Sequence, residues 1–142
     1  MTKDFGIFGR LGWNDGKTES FAFTAIDRLA TGGASATGQR WKRPFDSAGS
    51  EVTFGGLSGV HALYLARGGH DFLIGDGHLR YAPETIWESY YSARLFPGFF
   101  ASFDLQRVWN PAYNQDRGPV WISSIRLHVE FGKNAFSGRN QP

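Results

Sequence analysis

Hydrophobic and polar residues alternate with a period of two along several segments of the chain, most clearly over residues 120–131. Apolar or small side chains occupy one set of alternate positions: Trp121, Ser123, Ile125, Leu127, Val129 and Phe131. Polar side chains occupy the other set: Ser124, Arg126, His128 and Glu130. Because successive side chains of a β-strand point to opposite faces of a sheet, the pattern predicts a strand with one apolar and one polar face.

Six such segments, separated by turn and loop residues, predict an all-β fold: an antiparallel meander of about six strands. The predicted strands cover residues 5–13, 19–38, 49–57, 84–95, 99–109 and 120–131. The clearest turn signals are Asn14-Asp15-Gly16 and Phe96-Pro97-Gly98, which contain the residues that tight turns require. A glycine-rich stretch separates the third and fourth strands, and residues 61–67 within it predict a short helix.

The composition narrows the class of protein. The chain has 142 residues with 19 glycines and 16% aromatic residues, which favour turns and strands over helices. No run approaches the roughly 18 apolar residues of a membrane helix, which excludes a helical span but not a membrane barrel. The absence of cysteine excludes a disulfide framework and a thiolate nucleophile. The net charge of +2 is scattered, so we expect no nucleic-acid partner.

The alternation alone is compatible with two environments. In a soluble sandwich the apolar face packs on a second layer, whereas in a membrane barrel it meets lipid and the polar face lines the lumen. The lengths of the predicted connections favour the barrel in part. Residues 42–46 and 96–98 are short turns, and residues 58–83 and 110–119 are longer loops at the opposite end. The predicted turn at Asn14–Lys17 is short although it belongs with the long loops.

Several segments resemble the carbohydrate-selective outer-membrane porins of the OprB type. The most specific are NPAYN at residues 110–114, followed by a strand ending in RLHVEF, and the GDG loop at residues 75–77. The resemblance implies that residues 5–131 are the C-terminal part of a transmembrane β-barrel of about sixteen strands. Residues 132–142 would be a polar tail. The implied function is passive, carbohydrate-selective diffusion across the bacterial outer membrane.

The resemblance also predicts that the chain is only part of a complete porin. Its N-terminal residues, MTKDFGIFGRLGW, contain no apolar core of a signal peptide, although an outer-membrane protein must be exported. We therefore expect a fragment or a truncated gene product whose signal peptide and N-terminal strands are missing. Six strands are too few to close around water, so we expect no transport by this chain alone.

Polar positions on the predicted strands are candidates for the lumen wall. These pore-lining candidates are Arg10, Glu88, Arg94, Asp104, Gln106, Arg126, His128 and Glu130. Their charged and amide groups would exchange hydrogen bonds with sugar hydroxyls as water is shed. The alternative for any one of them is a solvated interior position without contact at a constriction. Asp27 could face the lumen too, but the register of the long second strand leaves this open.

Aromatic residues near the ends of the strands are candidates for the membrane interface. The set comprises Trp13, Trp87, Trp109, Trp121 and Phe131, with Tyr90 and Tyr91 as further members. The alternatives are packing in a soluble core and stacking on a sugar ring.

No catalytic residue, cofactor or metal site is predicted, so we expect no enzyme. Asp71, Asp76 and His78 match no calcium-loop spacing, and Glu84 with Glu88 lacks any further sign of a glycosidase cleft. The expected partners are small sugars as permeants, outer-membrane lipid and lipopolysaccharide; a homo-oligomer of the complete barrel is left open. Two other functions stay open: a soluble all-β carbohydrate-binding or structural domain, and a structural or adhesive barrel segment without transport.

Overall fold

The computed structural model describes residues 4–18, 25–71, 74–75 and 77–131. Six antiparallel strands form one open sheet in which each strand pairs with the next along the chain. The strands are β1 (Phe5–Trp13), β2 (Arg28–Thr37), β3 (Ser47–Gly56), β4 (Glu84–Phe96), β5 (Phe99–Trp109) and β6 (Val120–Val129), with one helix, α1 (Gly59–Ala66). The predicted all-β meander is confirmed. The described residues contain no helix with the length and hydropathy that a helical membrane span requires.

The second strand is where the predicted boundaries are wrong. It was expected from Glu19, but β2 begins at Arg28. Residues 25–27 lie outside the strand. The backbone of Asp27 still bonds to Asn14 and Gly56, while its carboxylate accepts a hydrogen bond from Ser58 beyond β3. Residues 19–24 lie outside the described part of the chain. The connection after β1 is therefore long, and the expected short turn at residues 14–17 is only its beginning.

The connections differ in length between the two ends of the sheet. At one end, which we call the loop end, the chain crosses by residues 14–27, 57–83 and 110–119. At the other, the turn end, it crosses by residues 38–46 and by Pro97-Gly98 alone. Gly98 has a φ of 78°, which residues with a side chain rarely adopt, so this two-residue turn depends on glycine. All the long connections thus lie at one end.

A small apolar core lies at the loop end rather than between two layers. It consists of Leu57, Leu65, Ile74 and Tyr113. Leu65 of α1 is completely buried, and the Tyr113 ring lies 3.5 Å from the position that a Cβ on Gly55 would occupy. The hydroxyl of Ser58 caps α1 by accepting a hydrogen bond from the His61 N–H. The helix and its loop therefore pack across the end of the sheet.

The NPAYN segment forms a tight turn that is anchored to the beginning of β4. Asn110 Nδ2 donates to the Pro83 carbonyl (2.9 Å), and the Ala112 N–H donates to the Glu84 carboxylate (2.8 Å). The Tyr113 carbonyl accepts from the Ala82 N–H at 3.0 Å. These bonds hold three residues of the turn at positive φ: Asn110 (51°), Ala112 (56°) and Tyr113 (62°). The motif thus has a structural role in fastening the connection between β5 and β6.

Candidate functional site

The strand register divides the side chains of the sheet between two faces. Directly paired residues of neighbouring strands point to the same side. On one side, which we call the polar face, lie all the predicted lumen residues that belong to strands: Arg10, Glu88, Arg94, Asp104, Gln106, Arg126 and His128. Glu130 follows the end of β6; its N–H donates to the Gly98 carbonyl, and its carboxylate lies 3.4 Å from His128 Nε2. That these residues line a lumen stays a prediction.

Acidic and amide groups meet in the middle of the polar face. Glu51, Glu88 and Gln106 are successive partners across β3, β4 and β5. Gln106 Nε2 donates to Glu88 Oε2 at 2.6 Å. Asp104 lies two residues nearer the turn end, opposite Tyr90. Sequence reasoning missed Glu51, although the polar and glycine alternation of residues 47–53 was a usable signal.

Basic groups lie nearer the turn end of the same face. Arg126 pairs with Ser102, and the His128 ring lies 6.0 Å from the ring of Phe100. Arg94 also pairs with Phe100, and its guanidinium stands 4.0 Å above the Phe45 ring. Acidic and basic groups therefore occupy successive levels along the strands.

Hydroxyl groups and one separate arginine complete the polar face. Thr31 and Thr53 are joined by a hydroxyl hydrogen bond of 2.9 Å, and Ser102 donates to Ser92 at 2.8 Å. Arg10 pairs with Thr31 on β1, the strand at the opposite edge of the sheet from β6. The open sheet thus does not bring Arg10 to the other predicted residues. The face presents donors and acceptors of the kinds that complement sugar hydroxyls.

The opposite side, the apolar face, carries the four predicted interface tryptophans, Trp13, Trp87, Trp109 and Trp121. Phe131 lies beyond the end of β6 and is 91% exposed. Large aliphatic side chains of this face are also open, with Leu11 86% and Ile125 77% exposed. Within the described residues, no second layer covers them. In water such a surface would be strongly unfavourable, so it indicates a lipid or protein environment.

The two neighbouring tyrosines lie on different faces. Tyr91 belongs to the apolar face, whereas Tyr90 pairs with Asp104 on the polar face. Tyr90 therefore does not share the face of the four tryptophans with which it was grouped, and the membrane-interface role of the group stays a prediction. The Tyr90 ring lies over Gly49, where a Cβ would stand only 2.5 Å from it. Glycine at that position leaves room for an aromatic ring to cover the exposed backbone.

A buried carboxylate anchors the turn end. Asp46 is 3% exposed and accepts hydrogen bonds from Arg43, from the Tyr91 hydroxyl and from the Arg94 N–H (3.0 Å). Burial opposes its ionisation, but these donors outweigh that effect and hold the pKa of Asp46 below its usual range. Trp41 Nε1 donates to the same Tyr91 hydroxyl at 3.1 Å. The anchor joins residues 38–46 to β4.

A second buried carboxylate organises the loop end. Asp27 accepts from the Ser58 N–H (2.7 Å) and lies 3.0 Å from His61 Nδ1, while His61 Nε2 lies 3.4 Å from Asp71. Burial opposes ionisation of Asp27, but the bonds from Ser58 and His61 hold its pKa below the usual range. Asp27 is therefore part of a loop anchor and not of the polar face of β2.

The residues weighed for a metal site lie only partly within the described chain. Of Asp71, Asp76 and His78, Asp76 lies outside the described residues. No group of three or more histidine, aspartate and glutamate side chains is arranged for a metal ion in the part of the chain that the structure describes.

The geometry of the sheet defines a class of protein. An antiparallel meander with a polar face, an exposed apolar face and aromatic residues toward its ends is the construction of an outer-membrane β-barrel wall. Comparison with protein families then matches residues 1–131 to the carbohydrate-selective porin, OprB family. The chain belongs to this family. Comparisons with curated proteins and with solved structures give no match.

Membership of the porin family accounts for a sheet with one polar and one apolar face. The family consists of outer-membrane porins, which are channels for carbohydrates and not enzymes. Nothing in the structure favours the soluble all-β alternative, since that alternative requires a layer over the apolar face.

Proposed function

We propose that the polar face of this sheet lines an aqueous channel through which small sugars diffuse passively, with no chemical step. The observation that supports the proposal is the separation of the two faces on the same six strands. Carboxylate, amide, hydroxyl and guanidinium groups alternate with apolar side chains that point the other way. As a sugar sheds water, Glu88, Gln106 and Arg126 offer replacement hydrogen bonds, which lowers the barrier to entry.

The sheet supplies part of a wall. Both edges of an open sheet carry unpaired backbone groups, each of which costs several kcal/mol in lipid. We therefore propose that β1 and β6 pair with further strands and that residues 5–131 belong to a barrel of about sixteen strands. Its apolar face would contact outer-membrane lipid and lipopolysaccharide. A homo-oligomer of such barrels stays a prediction.

Liposome swelling tests the proposal. The complete barrel that contains these six strands is reconstituted in vesicles, and entry of glucose is compared with entry of an uncharged non-sugar solute of similar size. In Glu88→Ala we expect the preference for glucose to fall about fivefold, the equivalent of one net hydrogen bond. Ser89→Ala is the matched control, since Ser89 is the next residue and lies on the apolar face.

Two results would contradict the proposal. One is equal entry of glucose and the non-sugar solute through the wild-type protein. The other is an equal loss of preference in Glu88→Ala and Ser89→Ala, which would mean that the polar face does not contact the permeant.

A further inference from the structure

Arg107 is a charged residue on the apolar face and has no ionic partner among the residues described. Its strand neighbours on that face are Trp87 and Trp121. The guanidinium carbon lies 4.9 Å from the ring centre of Trp109 and 4.9 Å from that of Trp121. The Nε–H is buried and donates to no atom of the described chain. The terminal Nη1 and Nη2 groups are not buried and have no hydrogen-bond partner among the described residues, so they are the donors that an incoming acceptor can reach.

The position of Arg107 along its strand indicates the depth of the site. Trp109 is the last residue of β5, so Arg107 lies two residues from the loop end. At about 3.3 Å per residue, its Cα is about 7 Å from that end of the strand. In membrane barrels the long connections face the exterior, which places the loop end at the outer leaflet. A cation on the lipid face is tolerated best at this level, next to the headgroups.

The chemistry of the cluster favours a phosphate. A guanidinium presents several donors in one plane and binds phosphate oxygens in pairs, through short charge-assisted hydrogen bonds. The indoles of Trp109 and Trp121 contact the guanidinium through cation–π interactions. These contacts leave its terminal N–H groups able to donate to an anion that lies in the plane of the guanidinium. The other charged strand residue on the apolar face is Arg28, which pairs with Trp13. Unlike Arg107, it has no side-chain nitrogen that is buried without a hydrogen-bond partner.

We propose that Arg107, held by Trp109 and Trp121, binds the phosphate of a phosphorylated glycolipid headgroup in the outer leaflet, of the lipid A class. The orientation and depth in this argument rest on the proposed function. The ligand is the headgroup of a lipid that lies against the barrel wall, with its acyl chains on the apolar side chains below.

Arginine-selective labelling tests the proposal at the level of single residues. The complete barrel that contains this chain is reconstituted in phosphatidylcholine vesicles that contain either lipid A or dephosphorylated lipid A, and modification by phenylglyoxal is followed by peptide mass spectrometry. We expect lipid A to slow the modification of Arg107 about tenfold relative to the dephosphorylated lipid. Arg126 is the matched control, because it lies on the polar face of the neighbouring strand and its rate should not change.

A titration of the protein in detergent with lipid A gives a second measurement that does not depend on labelling. The dissociation constant should rise about tenfold in Arg107→Gln and less in Arg107→Lys, which keeps the charge but loses paired donation. Equal affinities of wild type and Arg107→Gln would overturn the proposal, as would equal protection by the two lipids. Equal protection by inorganic phosphate added to plain phosphatidylcholine vesicles would overturn the lipid as the source.

Swelling in glucose, measured on the same vesicles, separates this proposal from the proposed function. Unprotected Arg107 in vesicles that admit glucose would overturn the phosphate site alone. Protected Arg107 in vesicles that exclude glucose would overturn the channel alone.

Discussion

The same strands form both faces of the sheet, but the side chains of the two faces differ in polarity and in the contacts they make. On the polar face, side chains bind each other across strands, as Gln106 does with Glu88, and keep further donors and acceptors for solvent. On the apolar face, Ile125 and Leu11 are exposed and have no layer above them. Under the proposed function, the difference means that each face is adapted to its own solvent, water on one side and lipid on the other. Arg107, on the apolar face, is the exception that requires its own partner.

The largest expected effect comes from placing a charge on the apolar face, which tests whether the two faces have different environments. Ile125 is near the middle of β6, so Ile125→Arg should cost about 2–4 kcal/mol of folding free energy in a bilayer. Ser124→Arg, one residue away on the polar face, should change it far less. Urea titration of the protein in vesicles, followed by tryptophan fluorescence, measures both. Equal losses would mean that the two faces share one environment.

The neighbouring tyrosines of β4 sharpen the comparison. The Tyr91 hydroxyl donates to buried Asp46 and accepts from Trp41, so Tyr91→Phe should destabilise the protein by about 2 kcal/mol. Tyr90→Phe should be close to neutral, because no hydrogen bond of its hydroxyl is present in the described part of the chain. The same urea titration compares the two variants. A larger loss in Tyr90→Phe would contradict the hydrogen bonds assigned to the Tyr91 hydroxyl.

The smallest expected effect concerns pH. The pKa of Asp46 is lowered in the folded protein, so its contribution to stability is present above the ordinary carboxyl value of 3.8 and is lost as pH falls through the lowered value. In Asp46→Asn, stability should therefore be lower at neutral pH, and its difference from wild type should shrink as the medium is acidified.

The exposed Asp116, which pairs with Arg80 at the surface, provides the control. Asp116→Asn should follow the wild-type pH profile, because exposed ion pairs contribute little to stability. The measurement is the urea midpoint between about pH 7 and pH 3. A difference between Asp46→Asn and wild type that grows on acidification would have the wrong sign and would exclude this anchor.

Prediction from sequence succeeded where one strong periodicity governs a segment. The strand over residues 99–109 has the predicted bounds, and β6 ends two residues before the predicted Phe131. Both faces of these strands follow from alternation. The predicted start of β2 was wrong because residues 19–27 have strand-like composition, and composition does not show that the Asp27 carboxylate bonds to Ser58 of a different connection.

The faces of single residues were harder to predict than the strands. Tyr90 was assigned to the membrane interface together with Tyr91, although adjacent residues of a strand must point to opposite sides. Glu51 was missed because its strand is rich in glycine and serine, which weakens the alternation. Arg107 was not among the predicted site residues, since only the strand register shows that it pairs with Trp87 and Trp121.

The amino-acid sequence by itself determined the strand class, the succession of turns, the family and the amphipathic character of each strand. These properties are local, because a period of two, a Pro97-Gly98 turn or a motif such as NPAYN is contained within a few residues. The tertiary structure alone decided which charges meet, that Asp27 and Asp46 are buried anchors, and that a guanidinium stands between two indoles. Those facts depend on register between segments far apart in the chain, which local patterns do not encode.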